Sequence, residues 1–344
     1  MKFVSILLTM FQRLHGERSA SGVYHILRGK RSGQTLQDIE NYQLKPFYAL
    51  FPALSAADFQ QYITTMLKDG LIQTEDQLVF VTNKGHNQLP NEKWRFNGWE
   101  YRGKEREFIK RLALTVQTIS QLQSGETMFT PIQKEIHIQQ FVKEFIRSQR
   151  ETNQLATLLL QEMESMLNEA ALSDVQCTIL MYRLTGHRKT ACTWDQLADG
   201  LALPVETIQL YFLESLHIVL DFIGQSEDLP LLTSLSAGCK VEIYLTQSAE
   251  RTRKLFQQGF SIHQIASLRQ LKLSTIEDHI IEMAANNQYF PFRQFISEEQ
   301  IEKVWRQIDK LQTKRLRLLK EQSPELSYFE LRLIIMHGRR VESK

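Results

Sequence analysis

Apolar residues recur every three or four positions along most of this chain, and that spacing predicts helices. In the opening MKFVSILLTMFQRL, Phe3, Ile6, Leu7, Met10, Phe11 and Leu14 follow the i, i+3, i+4, i+7 rule of an amphipathic helix. No small-residue cleavage pattern follows at once, so the segment predicts a packed first helix and not an export signal. Residues 20–27 continue helical and run into GKRSG at 29–33, a turn holding two cations. Farther on, Ser55 and Asp58 make a capping pair, and Phe59, Ile63, Met66 and Leu67 form a helical stripe that stops at Gly70. LIQ, the acidic turn TED and QLVFVT come next. A short strand, a turn and a β-rich strand after a helix predict a winged helix over residues 1–92.

Residues 104–122 and 131–167 are helical in pattern, with GETMFTP at 125–131 between them. A further helix over 174–184 is expected to end at Gly186 in a left-handed cap. LPLLTSLSAG at 229–238 is the best linker candidate, although its leucines imply packing. The expected architecture is mostly α and multi-domain. It comprises a winged-helix-like domain (1–92), a helical region (93–170), a central helix-turn-helix domain (171–228), a linker (229–246) and a C-terminal helix-turn-helix domain (247–344).

The two helix-turn-helix assignments rest on an internal repeat. TWDQLADGLALPVETI at 193–208 aligns without a gap on SIHQIASLRQLKLSTI at 261–276. Both read Ser or Thr, two residues, Gln, a branched aliphatic, Ala, four residues, Leu, three residues, Thr-Ile. Thr193 with Gln196, and Ser261 with Gln264, can each form a capping box that starts the first helix. Ala198 and Ala266 suit a close helix crossing, Leu203 and Leu271 plug the turn, and Ile208 and Ile276 face inward from the second helix.

Composition supports the helical reading, since 15 Gly and 8 Pro in 344 residues are few for a sheet-rich chain. The net charge of +2 supplies no global attraction for polyphosphate, so any nucleic-acid contact must come from local patches. Cys177, Cys192 and Cys239 are widely spaced without a CxxC pair, which points to a reducing, cytoplasmic setting and to no zinc site. No apolar run approaches the roughly 20 residues that span a bilayer, so no membrane partner is expected. GKRSG and GHRKT lack the spacing of a phosphate loop, and His137 and His217 read as structural residues. The chain is therefore expected to be no enzyme, with no cofactor, no metal and no small-molecule substrate.

A helix that reads base edges needs cations and amides. STIEDHIIEM, the second helix of the C-terminal repeat, instead carries Glu277, Asp278 and Glu282, and PVETIQLYFLE presents Tyr211 or Phe212 without a cation. AADFQQYITTMLKDG in the first domain offers only Lys68. These five acidic and aromatic residues are candidates for docking a protein partner. Cations cluster in KLQTKRLRLLK as Lys310, Lys314, Arg315, Arg317 and Lys320, with Leu311, Leu316, Leu318 and Leu319 as the packed side. Such a face can grip phosphate through counterion release. A second patch is Arg28, Lys30 and Arg31, joined by Arg13 and Arg18 if the first helices pack side by side.

LFQQGFSIHQIASLRQLKLSTIEDHI and, after a basic helix, LSYFELRLIIMH resemble the helix-turn-helix domain at the C-termini of some RecQ-family helicases, over about residues 247–337. ERSASGVYHILRGKRSGQTLQDI is similar to the winged-helix region of RecQ proteins, and the whole chain resembles the YpbB-like family of Gram-positive bacteria. That resemblance implies an accessory factor working with a RecQ-type helicase in DNA repair or recombination. Two function classes follow. One is a non-enzymatic adaptor whose cations hold DNA without sequence choice; the other is a sequence-specific transcription regulator.

Overall fold

The computed structural model describes residues 2–90, 94–149, 152–241, 245–287 and 289–338 of the protein. The chain forms two compact units, Met1–Ile6 with Pro90–Val241 and Leu7–Leu89 with Glu242–Lys344. The segments 1–92 and 247–344, expected as separate domains, thus lie largely within one unit. Among the described residues there are nineteen α-helices and one two-stranded sheet, so the fold is mostly α.

In α1 (Lys2–Leu14) all six residues of the expected apolar stripe are buried. After it come α2 (Ala20–Arg28) and α3 (Gly33–Asn41). The helix α4 (Ala56–Lys68) begins where Ser55 Oγ accepts from the Asp58 amide at 3.0 Å. Phe59, Ile63 and Met66 are buried along it, but Leu67 is 37% exposed because it lies one residue off their i, i+4, i+7 row. The strands β1 (Ile72–Glu75) and β2 (Leu78–Val81) pair antiparallel across Asp76 and Gln77, whose φ values of 48° and 68° match the right-handed strand twist. The short α5 (Asn83–His86) closes this winged-helix-like segment.

The unit that joins Met1–Ile6 to Pro90–Val241 holds, among its described residues, α6 (Gly98–Tyr101), α7 (Glu105–Gln123), α8 (Ile136–Ser148), α9 (Thr152–Glu169), α10 (Asp174–Tyr182), α11 (Trp194–Leu201), α12 (Val205–Ile223) and α13 (Pro230–Ser236). Phe108, Leu112, Leu159, Met163, Leu216 and Leu232 meet in its core. Two expectations change here. The helix α10 stops at Tyr182, and Gly186 bridges Lys189 in a small loop whose left-handed residue is Arg188, at φ 55°. The run at 229–238 is no linker, because Pro230 starts α13 and buries Leu231, Leu232 and Leu235. The Glu162 carboxylate accepts the Leu231 and Leu232 amides at 3.0 and 2.9 Å and so satisfies donors that the helix start leaves open. His217 is buried and accepts from the Asn97 amide at 2.9 Å, which is a structural role. Cys239 is buried too, and burial pushes its thiol up to about 11.

The C-terminal segment contains α14 (Gln247–Gln257), α15 (Ile262–Arg269), α16 (Leu273–Asn286), α17 (Glu298–Leu311), α18 (Leu316–Gln322) and α19 (Tyr328–His337). Ile265, Ile276, Ile280, Leu319, Leu331 and Ile334 form the centre of its core. Within the shared unit, α3 packs against both α16 and α19. Although polar in sequence, α3 buries Gln37, Asp38 and Asn41, with Gln37 bonded by Arg332 of α19, Asp38 by Arg18 and the Asn41 carbonyl by Lys314. Among the described residues no helix is long and apolar enough to cross a membrane.

Candidate nucleic-acid interface

The internal repeat is a repeat of backbone geometry. Thr193 and Ser261 both form complete capping boxes with Gln196 and Gln264. Both first helices then end in a left-handed residue that is not glycine, Ala202 at φ 53° and Gln270 at φ 52°. The Leu203 amide donates to the Ala198 carbonyl at 3.0 Å, and the Leu271 amide donates to Ala266 at the same distance. These are the six-to-one bonds of a Schellman end, so the spacing of Ala, four residues and Leu encodes the stop of α11 and α15. Ile208 and Ile276 are fully buried from the second helices, α12 and α16.

The second helix of the C-terminal motif does not face solvent as a reading helix would. The neighbours of α16 are α3, α14, α15 and α19, and it buries Ile276, His279, Ile280, Ile281, Glu282, Met283 and Ala284. Glu282, expected as a docking residue, is 5% exposed. Its carboxylate accepts from the Thr246 amide and, at 3.0 Å, from the Thr246 hydroxyl, where it helps to hold the start of α14. It is internal because α14 packs on α16 and brings Thr246 over this end of the helix. Asp278 keeps an exposed edge but is paired with Arg332 at 2.8 Å. Of the three acids only Glu277 faces an opening, and burial raises its pKa above the usual carboxylate range.

In the central motif, α12 is buried from Leu213 to Leu220. Phe212 packs edge-on to Trp194 at 5.3 Å between ring centroids and contributes to the core, so it is unavailable as a docking residue. Tyr211 is half-buried, with the Lys2 ammonium 3.6 Å from its ring centroid and bonded to its hydroxyl. The long apolar run of α12 draws both aromatics inward.

The cation cluster at 310–320 is broken in two. After α17 ends, Gln312 turns left-handed at φ 53°, and α18 begins only at Leu316. Lys314 donates from Nζ to the Asn41 carbonyl at 2.7 Å and Arg315 from Nη2 to the Gly16 carbonyl at 2.8 Å. Burial lowers the Lys314 pKa. Lys320 reaches the Pro324 carbonyl at 2.8 Å. Lys310 is exposed, and Arg317, 87% exposed, pairs with Glu321 at 3.4 Å. Leu319 alone of the expected packed leucines is buried; Leu311 and Leu318 are exposed. The chain reversal at 312–315 therefore turns this segment into a fastening for residues 16–41.

Arg28, Lys30 and Arg31 remain exposed around the Gly29 turn. Arg28 donates to the Tyr24 hydroxyl and the Leu54 carbonyl, each at 3.1 Å, which sets it beside the start of α4. Arg18 does not join them, because it is tied to the buried Asp38 at 2.7 Å; Arg13 donates to the Gln43 carbonyl. The helix α4, which precedes the β1–β2 hairpin, exposes Gln60, Gln61, Thr64 and Lys68. Its Gln pair was legible in AADFQQYITTMLKDG as base-edge chemistry, but only the burial of the other two second helices gives it weight.

Residues 248–335 match a helix-turn-helix domain family. Such a domain suggests DNA binding. Over 342 residues the chain is similar to Protein YpbB of Bacillus subtilis (strain 168), at 28% identity, covering 97% of this chain and 96% of the relative. No solved structure matches.

Proposed function

We propose that this chain is a non-enzymatic adaptor that works with a RecQ-type DNA helicase and holds DNA without sequence choice. What carries the reading is the placement of α16. The reading helix of its most specific motif is packed on α3, α14, α15 and α19, with Glu282 and Asp278 bonded to other parts of the chain, so the motif serves as a scaffold for surfaces elsewhere. Of the candidate cations, those left exposed are Arg28, Lys30, Arg31, Lys310 and Arg317, which suits phosphate contact at modest affinity. The helicase is implied by the resemblance of 247–337 and of the N-terminal segment to RecQ regions. The test is capture of the full chain from nuclease-treated native extract, followed by direct binding to the purified helicase. Recovery of no helicase would sink the reading. A second reading, a sequence-specific regulator, is favoured by the exposed Gln60, Gln61 and Thr64 on α4. It demands that one duplex outcompete random DNA by orders of magnitude.

A further inference from the structure

A groove of about 1060 Å³ opens in the C-terminal segment beside α14, α16 and the loop before α17. Its floor is aromatic. Phe290 lies nearly parallel to Phe256 and Phe295, each at 10° and with centroids 6.3 and 5.9 Å apart, and Phe329 stands edge-on to Phe295 at 5.5 Å. Phe260 on the lining is 36% exposed, and Tyr289 and Tyr328, next in the chain to Phe290 and Phe329, are 81% and 50% exposed. Phe256 and Phe295 are partly exposed to the groove, and aromatic surface left open to solvent in this way is a feature of interaction sites.

The polar lining decides what kind of partner fits. Glu277 and Glu330 both face the groove, and Glu277 accepts no hydrogen bond from any described residue. The lining cation, Arg253, is already held by Glu250 through two hydrogen bonds of 2.7 and 2.6 Å. Stacked rings alone would accept bases, but carboxylates beside them repel phosphate. Arg332 and His263 act on this half-buried Glu277 by charge alone, with no hydrogen bond to it, so its carboxylate is open to a cation brought by a partner.

We propose that the groove docks a basic amphipathic segment of a partner protein, with a large apolar side chain on the Phe256, Phe290 and Phe295 rings and a Lys or Arg against Glu277. The proposal shares with the adaptor reading only the involvement of a protein partner. Seating one apolar anchor in a preformed aromatic groove, with one ion pair fixing its orientation, is how short helical segments are commonly recognised.

The test uses the full chain panned against a displayed library of random peptides. Selected peptides are synthesised and titrated by fluorescence anisotropy onto the wild type, Glu277→Lys and Phe260→Ala, with circular dichroism to verify folding. The expected peptides carry an aromatic or Leu anchor with a Lys or Arg within one helical turn. Glu277→Lys should weaken them by more than about tenfold, and exchanging the peptide cation for Glu should restore binding to that variant. The proposal is overturned if no peptide is selected, if Glu277→Lys leaves affinity unchanged, or if oligothymidine displaces the peptides from the wild type, which would make nucleic acid the occupant. Failure of the groove with the helicase still captured leaves the adaptor standing. Groove-binding peptides with no helicase recovered would remove the adaptor and keep the groove.

Discussion

Arg332 of α19 and Asp278 of α16 meet at 2.8 Å over the first residue of α3, so closely that a Cβ on Gly33 would lie 2.2 Å from the guanidinium and 2.5 Å from the carboxylate. Arg332 also donates to Gln37 Oε1 at 3.2 Å. One side chain thus joins two C-terminal helices to the N-terminal segment. Arg332→Ala is expected to lower the unfolding free energy by about 1–2 kcal/mol, since its charge-assisted bonds are only partly exposed. A urea titration checks this, and an unchanged midpoint would mean that the junction does not depend on the pair.

His279 on α16 lies 2.8 Å from the Thr252 hydroxyl, with Arg269 at 3.4 Å from the same ring nitrogen. Burial, then the charge of Arg269, lowers its pKa, while Asp278 works the other way. The folded chain therefore takes up fewer protons than the unfolded chain as pH falls through about 6.5. The contribution is fully present above that pH and is lost as pH falls towards the lower folded value. His279→Gln should flatten this part of the plot of melting temperature against pH. An identical acid-side slope in the variant would count against the role.

Ala202 and Gln270 hold equivalent left-handed positions at the ends of α11 and α15. A Cβ is disfavoured there, so Ala202→Gly and Gln270→Gly should each stabilise the protein by about 0.5–1 kcal/mol after the added freedom of the unfolded chain is offset. Thermal unfolding of each variant decides it; a lowered melting temperature in both would refute the strain argument.

The two cation groups should respond differently to removal. Arg28→Ala, Lys30→Ala and Arg31→Ala together are expected to weaken binding to all duplexes alike, each lost phosphate contact reducing the salt slope by about 0.9. Lys314→Ala should instead cost about 1 kcal/mol of stability, because its ammonium bonds the Asn41 carbonyl inside the unit. Anisotropy across a salt series and denaturant titration separate the two. A stable Lys314→Ala variant with a flatter salt slope would return that lysine to the interface.

The sequence by itself determined the local grammar. Capping boxes at Thr193 and Ser261, the stripe of α1, the two strands of the wing and the buried Ile208 and Ile276 were all written in the spacing of a few neighbouring residues. Those features depend on backbone donors and side chains within about one or two helical turns of each other. Which polar residues stay at the surface was decided only by tertiary structure. Glu282, Phe212, Lys314 and Arg315 look like surface residues in a linear text. Each is taken inside by a partner far away in the chain or by packing on a neighbouring helix: Thr246, Trp194, Asn41 and Gly16. The opening of the Phe256 groove is a third-level fact of the same kind, because its rings come from helices and a loop that short-range periodicity cannot bring together. Helix formation is driven by near neighbours, whereas exposure is set by whatever apolar surface the whole unit must remove from water.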